Sequence, residues 1–211
     1  MAAAGTKQTG LILIARRDAH VSPADRTAML SEGFRRMGWP PYEAALEECT
    51  DLGKPVYAGG GIFFNLSDTK HFSAAVFADV PAGIDLEEPR QIPDAMKRRL
   101  APDERGWMAS DHFEAGQIQR FLRLWTAKEA YGKMTGDGIS PQILDASFAS
   151  LMRLCIPLTF RVRTFRAAVR FAAQSLQAAG VFAQLQDAEL TLTVCVSEAR
   201  EFRIAFLSKS G

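Results

Sequence analysis

The chain has 211 residues, of which 47% are hydrophobic and 23% are charged. This composition is typical of a globular protein with enough apolar material to form a core. The net charge of +1 argues against a strongly basic nucleic-acid-binding protein. No stretch approaches the roughly eighteen apolar residues that a membrane span requires. We therefore expect neither nucleic acid nor a membrane among its partners.

The three cysteines, Cys49, Cys155 and Cys195, are scattered and form no C-x-x-C pair, so the sequence gives no indication of a zinc site. A sparse, odd number of cysteines is typical of a reducing compartment. The first residues lack a charged start followed by a long apolar run, and no signal peptide is predicted. We expect the protein to lie in the cytoplasm.

Strand and helix signals alternate at the start of the chain. A buried strand is predicted over residues 11–15, where apolar residues follow one another. A helix is predicted from an N-cap at Ser22 to about Met37, because Gly38 ends the helical pattern. A second short helix is predicted over residues 42–48.

Three strands are predicted after the turn at Gly53-Lys54-Pro55. They cover residues 62–67, 73–78 and 82–87. A turn at residues 79–81 would join the last two strands into a hairpin that presents Asp85 and Glu87 at its end.

Helical patterns dominate the middle of the chain, and the last third is less regular. Helices are predicted over residues 93–100, 102–113 and 117–134, the last one ended by glycines. Beyond them, strands are predicted over residues 146–149, 158–162, 190–196 and 203–207, with an alanine-rich helical segment over residues 166–179.

Two of these elements carry charged residues at regular spacing. Residues two apart share a face of a strand, so Asp85 and Glu87 point the same way. Residues four apart share a face of a helix, so Trp125, Glu129 and Lys133 form one stripe. Mg²⁺ prefers hard oxygen ligands, and three carboxylates beside lysines suit a metal that bridges phosphates. We interpret the two elements as halves of one Mg²⁺ site that handles a pyrophosphate.

Each half also has a simpler interpretation. Glu129 with Lys133 is an ordinary exposed helix pair, and Asp85 with Glu87 is a typical solvated strand face. Trp125 is interpreted as a core residue that orients the helix.

Three motifs together resemble the 4′-phosphopantetheinyl transferase family in its long, two-repeat form. Gly83–Glu87 matches the family's G-[IV]-D-[IL]-E strand, and Trp125–Lys133 matches its W-x-x-K-E-[AS]-x-x-K helix. The turn at residues 53–55 matches the family's G-K-P, and the stretch 64–69 matches its F-N-[IL]-S-H-S except at Asp68 and Thr69, which stand in place of His and Ser. The motifs stand in the family's order, and the resemblance covers residues 53 to 140.

The resemblance implies an α+β fold built as a pseudo-two-fold duplication of two α+β halves, with the active site between them. The implied N-terminal half, residues 1–90, contains the coenzyme A phosphate contacts and the Asp85/Glu87 strand. The implied C-terminal half, residues 91–211, contains the helix that carries residues 125–133. Two halves in one chain are compatible with a monomer.

The implied activity is transfer of the 4′-phosphopantetheine arm of coenzyme A to a serine of an apo acyl or peptidyl carrier protein. Adenosine 3′,5′-bisphosphate is released, and the holo carrier protein serves fatty acid or polyketide biosynthesis. The reaction is Mg²⁺-dependent, with Mn²⁺ as an alternative metal. Asp85, Glu87 and Glu129 are the implied metal ligands, and Glu129 is also the implied base. Lys133 would stabilise or protonate the leaving phosphate. Coenzyme A phosphates would be contacted by Lys54, Ser67, Lys128 and Lys133.

Three alternatives stay open. A catalytically weak relative would bind coenzyme A or a carrier protein without transfer. The reason for this alternative is Asp68, which stands where the family has a phosphate-contacting His. His71, three residues on, is the nearest substitute. A different Mg²⁺-dependent phosphoryl enzyme would act without a carrier protein. A plain interaction module would use the acidic strand only as a surface.

Overall fold

The computed structural model describes residues 9–17, 23–51, 53–58 and 60–207. Its strands are β1 (Thr9–Arg16), β2 (Glu47–Cys49), β3 (Pro55–Tyr57), β4 (Phe63–Asp68), β5 (Phe72–Ala78), β6 (Ala82–Glu87), β7 (Thr164–Ala167), β8 (Val169–Phe171), β9 (Gly180–Gln186), β10 (Thr191–Val196) and β11 (Arg200–Leu207). Its helices are α1 (Pro23–Met37), α2 (Asp94–Lys97), α3 (Pro102–Ala109), α4 (Glu114–Thr135), α5 (Pro141–Asp145) and α6 (Ala149–Leu154). The predicted N-cap at Ser22 lies outside the described residues. The mixture of helices and strands confirms the α+β class.

Two sheets form the centre of the fold. The first has the order β4-β5-β1-β11-β7, in which β1 and β11 are parallel, and the second has the order β6-β10-β9-β8 and is antiparallel. Apolar side chains of both sheets, including Ile12, Val76, Ile84 and Leu192, form one buried cluster. The two sheets therefore pack face to face, as in other layered folds.

The two longest helices cover the outer faces of these sheets. On α1, Leu30 and Phe34 pack into a cluster with Leu11 and Phe77 of the first sheet. The longer α4 packs on β6 and β10 of the second sheet, and its buried side includes Phe121, Leu122, Leu124 and Ala127. None of the helices in the described ranges has the length and apolar character needed to cross a membrane.

Strands from early and late in the sequence share both sheets. β1 pairs with β11, and β6 pairs with β10. The predicted halves, residues 1–90 and 91–211, are therefore interleaved at the sheet level. Their division near residue 90, and the duplication that it implies, stay predictions.

The structure confirms most predicted elements around the motifs: β1, α1, β4, β5, β6, α4, β10 and β11 all lie within a few residues of their predicted ranges. The predicted short helix over residues 42–48 is wrong. That segment contains only a 3₁₀ turn, Ala44–Leu46, followed by β2. In the middle of the chain, α2 and α3 are shorter than predicted.

The predicted hairpin between β5 and β6 is also wrong, because β6 leaves the first sheet and joins β10 in the second. Side chains of β4 accept hydrogen bonds from backbone N–H groups on the edge of β6 that no strand pairs with. Asn65 Oδ1 accepts a hydrogen bond from the backbone N–H of Ile84 at 3.0 Å, and Ser67 Oγ accepts one from Leu86 N–H at 3.2 Å. Buried backbone donors need partners, and here two polar side chains replace a strand neighbour.

The last third corrects three further predictions. Residues 146–149 lead into α6 instead of forming a strand, and residues 158–162 make a single bridge at Leu158. The alanine-rich segment over residues 166–179 contains the end of β7, all of β8 and no helix. Its alternation of exposed Arg166 with buried Phe165 and Ala167 has the period of a strand, so local composition gave the wrong element.

Candidate active site

Close contact between α4 and β6 brings the two motif stretches together. Gly83 of β6 lies against the α4 backbone, where an added Cβ would stand 2.1 Å from the carbonyl oxygen of Ala130. Only glycine permits the approach of β6 to α4 at this point, so Gly83 sets the distance between helix and strand. Farther along α4, the hydroxyl groups of Thr126 and of Thr193 on β10 are 2.7 Å apart.

A cavity of about 780 Å³ opens between the ends of β4 and β6 and one face of α4. Ser67, Asp85, Glu87, Glu129 and Lys133 all line it, together with Trp125. The strand spacing and the helix spacing therefore place five of the predicted site residues in one pocket.

Asp85 is the most buried acidic group of this pocket, with 6% of its surface exposed. Its Oδ1 accepts hydrogen bonds from Lys133 Nζ at 2.7 Å and from Ser67 Oγ at 2.9 Å. Among the described residues, Oδ2 is buried and has no hydrogen-bond partner. Burial raises the pKa of Asp85 although Lys133 and Ser67 oppose the shift. An unpaired, buried carboxylate oxygen is costly and is the kind of atom that a cation would satisfy.

Glu87 and Glu129 are repelled electrostatically by Asp85. Burial raises the pKa of both groups, and repulsion from Asp85 raises it further. Glu129 is also repelled by Glu87, so the three carboxylates are electrostatically coupled. Glu87 accepts a hydrogen bond from Arg90 at 3.2 Å. Repulsion of this kind disappears when a cation binds between the groups.

The donor set fits a hard divalent cation. It consists of carboxylate oxygens, which suit Mg²⁺ or Mn²⁺, and one of them is the orphaned Oδ2 of Asp85. Within the part of the chain that the structure describes, no three His, Cys, Asp or Glu side chains are already grouped as a metal site. Lys133 instead neutralises Asp85 directly, and its Nζ also donates to Ser67 Oγ at 3.2 Å.

Lys128 does not reach this pocket. Its side chain is fully buried, and its Nζ stands 3.1 Å from Glu104 Oε1. It donates to the carbonyl oxygens of Ile143 at 2.9 Å, Leu144 at 3.2 Å and Ala146 at 2.5 Å. All of its donors are therefore used inside the protein. The phosphate contact predicted for Lys128 does not fit this position, and we correct its role to a structural one.

Lys54 also lies apart from the carboxylates. Its Nζ donates to the carbonyl oxygen of Met134 at 2.5 Å, at the C-terminal end of α4. It lines a second cavity of about 520 Å³, beside Tyr57 and Phe64. Burial lowers the pKa of its ammonium group. In this arrangement Lys54 stabilises the Met134 carbonyl at the helix end.

Several charged residues at the pocket rim were not predicted as site residues. Lys70 and Arg90 line the cavity. Asp68 lines it too, and its Oδ1 lies 3.8 Å from a guanidinium nitrogen of Arg17. Arg90 stands three residues after Glu87, and this spacing could have indicated that it belongs to the site. The same spacing is also typical of an exposed strand end, so it does not identify a site residue.

The neighbouring His71 is engaged with a carboxylate. Its Nδ1 lies 2.6 Å from Glu88 Oε2, and its backbone N–H donates to Glu88 Oε1 at 2.9 Å. His71 does not line the large cavity, whereas Glu88 does. The structure thus gives no direct support to His71 as the substitute for the family's histidine.

Comparison with known proteins gives a consistent family. Residues 81–195 match the model of the 4′-phosphopantetheinyl transferase superfamily. The chain is 38% identical over 102 residues to the 4′-phosphopantetheinyl transferase psf-1 of Bacillus pumilus, which covers 47% of this chain and 43% of that protein. It is 41% identical over 96 residues to the 4′-phosphopantetheinyl transferase HetI of Nostoc sp., covering 42% of this chain and 40% of that protein.

A third relative, the 4′-phosphopantetheinyl transferase gsp of Aneurinibacillus migulanus, is 27% identical over 99 residues, or 47% of this chain and 41% of that protein. The matches thus span less than half the length of these curated relatives. The family match itself covers more than half of the 211 residues and includes Gly83–Glu87 and Trp125–Lys133. The chain therefore belongs to the 4′-phosphopantetheinyl transferase superfamily.

Proposed function

We propose that this protein transfers the 4′-phosphopantetheine arm of coenzyme A to a serine of an apo acyl or peptidyl carrier protein. The observation that carries the proposal is the pocket in which Asp85, with its orphaned Oδ2, meets Glu87, Glu129 and Lys133. The names of the three relatives, all 4′-phosphopantetheinyl transferases, support the same reaction.

Asp85, Glu87 and Glu129 would hold Mg²⁺, or Mn²⁺ in its place. When bound, the metal supplies neutralising charge to the pyrophosphate of coenzyme A. The affinity would fall with decreasing pH, because the pKa values of all three carboxyl groups are raised and protonation removes the ligands.

The reaction exchanges one phosphorus–oxygen bond for another. The serine Oγ attacks the phosphorus that carries the pantetheine arm, and the bond from that phosphorus to the bridging oxygen breaks. Glu129 is the proposed acceptor of the serine proton, since its raised pKa makes it a better base than an exposed carboxylate. Lys133 would donate to the departing phosphate of adenosine 3′,5′-bisphosphate.

Ser67 and Lys133 are the proposed contacts to the pyrophosphate, because both line the carboxylate pocket. The predicted contact between Lys54 and a coenzyme A phosphate requires the cofactor to extend toward the C-terminal end of α4. Residues from before and after residue 90 line the pocket, which supports an active site between two halves. A monomeric state and a cytoplasmic location remain part of the proposal.

Asp68 favours a second candidate, a relative that binds coenzyme A or a carrier protein without transfer. Its carboxylate lines the pocket and is 43% exposed, so it would repel a phosphate. Arg17, at 3.8 Å, partly balances this charge. The variant Asp68→His separates the candidates: the enzyme proposal requires measurable transfer by the natural chain, whereas the weak relative would gain transfer only with the histidine.

The test is mass spectrometry of apo carrier proteins after incubation with the chain, coenzyme A and Mg²⁺. A gain of about 340 Da, the mass of the organic arm, marks transfer. Glu129→Gln provides the matched control, because it keeps the size of the side chain and removes the base. Binding of coenzyme A without any mass gain would contradict the proposal.

A further inference from the structure

Charge is unevenly distributed along the chain. Residues 146–186 contain five arginines and no aspartate or glutamate, although the whole chain has a net charge of only +1. The five are Arg153, Arg161, Arg163, Arg166 and Arg170, and all are exposed. A surface with one sign of charge attracts partners of the opposite sign.

Exposed apolar residues lie within the same segment. Leu154, Ile156 and Leu158 expose 67%, 79% and 36% of their surface. They stand at alternate positions from the last residue of α6 onward, and Arg153 and Arg161 flank them in sequence. We call these five residues the arginine–apolar patch. Arginine is enriched at protein–protein interfaces, and the buried centre of such an interface is more apolar than its rim, whereas a nucleic-acid surface would not need the apolar residues.

Hydrogen bonds from α4 and β9 hold the backbone of the patch in place. Arg123 of α4 donates to the carbonyl oxygens of Met152 at 3.0 Å and Cys155 at 2.6 Å. Leu158 N–H donates to Gln184 O, and Gln186 N–H donates to Leu158 O, both at 2.8 Å. A surface that is already ordered loses less entropy on binding than a mobile loop.

The patch and the carboxylate pocket lie at the same end of the strands of the second sheet, on opposite sides of β10 and β9. Glu87 of β6 is opposite Thr191 of β10, which is opposite Gln186 of β9. Leu158 follows beside Gln186. Three strand spacings of about 4.8 Å place Leu158 about 15 Å from Glu87. A domain of about 100 residues has a radius of gyration of about 13 Å, so a small domain on the patch would reach the pocket.

We infer that the arginine–apolar patch docks the carrier protein. This inference rests on the proposed function and adds to it the surface on which the substrate sits. The partner is a small protein domain that presents carboxylates around an apolar centre next to its acceptor serine. Arg161 and Arg153 would pair with the carboxylates, and Ile156 would insert into the apolar centre.

The experiment measures the Kd of an acidic apo carrier protein for the natural chain, Ile156→Asp and Arg161→Glu, with transfer measured separately. Ile156 and Arg161 are exposed, so both variants keep the fold, and coenzyme A binding serves as the check. We expect the Kd for the carrier protein to rise at least about tenfold in each variant. Coenzyme A affinity should stay unchanged.

Arg170→Glu is the matched control. It makes the same charge change in the same segment, but Arg170 is opposite Val181, near the other end of β9 from Leu185. Its Kd should match that of the natural chain. Added salt should weaken binding of the natural chain more than that of Arg161→Glu.

The outcomes separate the two proposals. An unchanged Kd in both patch variants overturns the docking inference, even where the natural chain transfers the arm normally. Loss of carrier binding in the variants, without transfer by the natural chain, supports docking and overturns the proposed function. Binding of a single-stranded RNA oligonucleotide that Arg161→Glu abolishes, with carrier binding unaffected, would assign the arginines to nucleic acid and overturn the inference.

Discussion

At the scale of single residues, the pocket places like charges together without fully neutralising them. Asp85 has Lys133 on one oxygen, while the other has no partner among the described residues. Glu87 and Glu129 add repulsion that raises the pKa of each group. Such an arrangement is locally destabilising, and a cation bound between the carboxylates would relieve the repulsion.

Binding of Mg²⁺ should therefore stabilise the protein through Asp85. At a concentration of about 100 times its Kd, the metal should raise the melting temperature by roughly 5–10 °C. Asp85→Asn removes a ligand charge and should lose this shift while melting at least as high as the natural chain without metal. Differential scanning calorimetry with and without Mg²⁺ measures both values.

Asp94→Asn is the control for that measurement, because Asp94 has a 78% exposed side chain outside the pocket. It should keep the full Mg²⁺ shift. An equal shift in Asp85→Asn would place the metal elsewhere.

At the scale of elements, α4 is fixed by the buried polar contacts of Lys128 on one side and by its close approach to Gly83 of β6 on another. Lys128 ties α4 to Glu104 of α3 and to the carbonyls around α5. Glu104 in turn accepts hydrogen bonds from Ala101 N–H at 2.7 Å and Phe148 N–H at 2.8 Å. The helix that carries Glu129 and Lys133 is thus positioned by the residue immediately before Glu129.

Lys128→Met should destabilise the fold, because it leaves Glu104 buried without its cation. Breaking a buried pair costs about 3–5 kcal/mol, measurable by urea unfolding. The double variant Lys128→Met/Glu104→Gln should recover part of this loss. If Lys128→Met instead keeps its stability and weakens only coenzyme A binding, the phosphate role that we corrected would have to be restored.

Gly83→Ala should separate β6 from α4. The new Cβ would stand 2.1 Å from Ala130 O and 2.4 Å from Met134 N, so the helix must shift. We expect lower stability and a large loss of transfer. Gly106→Ala is the paired control: nothing lies within 4 Å of an added Cβ there, and the better helix propensity should stabilise α3 by up to about 1 kcal/mol. Similar effects of the two changes would show that the close approach is unimportant.

The acid sensitivity of α1 provides a test away from the site. Hydrogen bonds from Arg35 and Arg36 lower the pKa of Glu32 from 4.5 to about 2. A lowered pKa in the folded state stabilises the protein above the unfolded pKa, and this contribution is lost as the pH falls from 4.5 toward 2. Glu32→Gln should therefore lower stability at pH 7 by less than about 1 kcal/mol, since the pair is at the surface. The difference from the natural chain should vanish near pH 2, as followed by urea unfolding at both pH values.

Local spacing was enough to predict the pocket-lining face of α4 and β6, but not the role of every residue on them. The four-residue period correctly placed Glu129 and Lys133 together, and the two-residue period did the same for Asp85 and Glu87. Lys128, about 100° from Glu129 around the helix, could lie on either the solvent side or the core side. The packing of α3 and α5 against α4 places the Lys128 side chain in the core.

Long-range pairing explains the other differences. The turn after β5 suggested a hairpin, but β6 pairs with β10 about a hundred residues later, and no local signal encodes that partner. The alanines of residues 166–179 favour a helix as an isolated peptide. In the protein, Phe165 and Ala167 enter the core between the sheets, and this burial outweighs the local propensity.

At the scale of the whole molecule, the two sheets and α4 bring residues from distant segments into one pocket. β6 contributes Asp85 and Glu87, β4 contributes Ser67, and α4 contributes Glu129 and Lys133. The arginine–apolar patch lies at the same end of the strands of the second sheet, about 15 Å from Glu87 by strand spacing. The fold thus presents a proposed chemical site and a proposed docking surface side by side.

The most direct test is a crystal structure of the chain with coenzyme A and Mn²⁺, with the metal located by anomalous scattering. We predict one strong peak within about 2.2 Å of carboxylate oxygens from Asp85, Glu87 and Glu129, next to the pyrophosphate. A peak that contacts none of the three carboxylates, or a pyrophosphate bound away from them, would contradict the account.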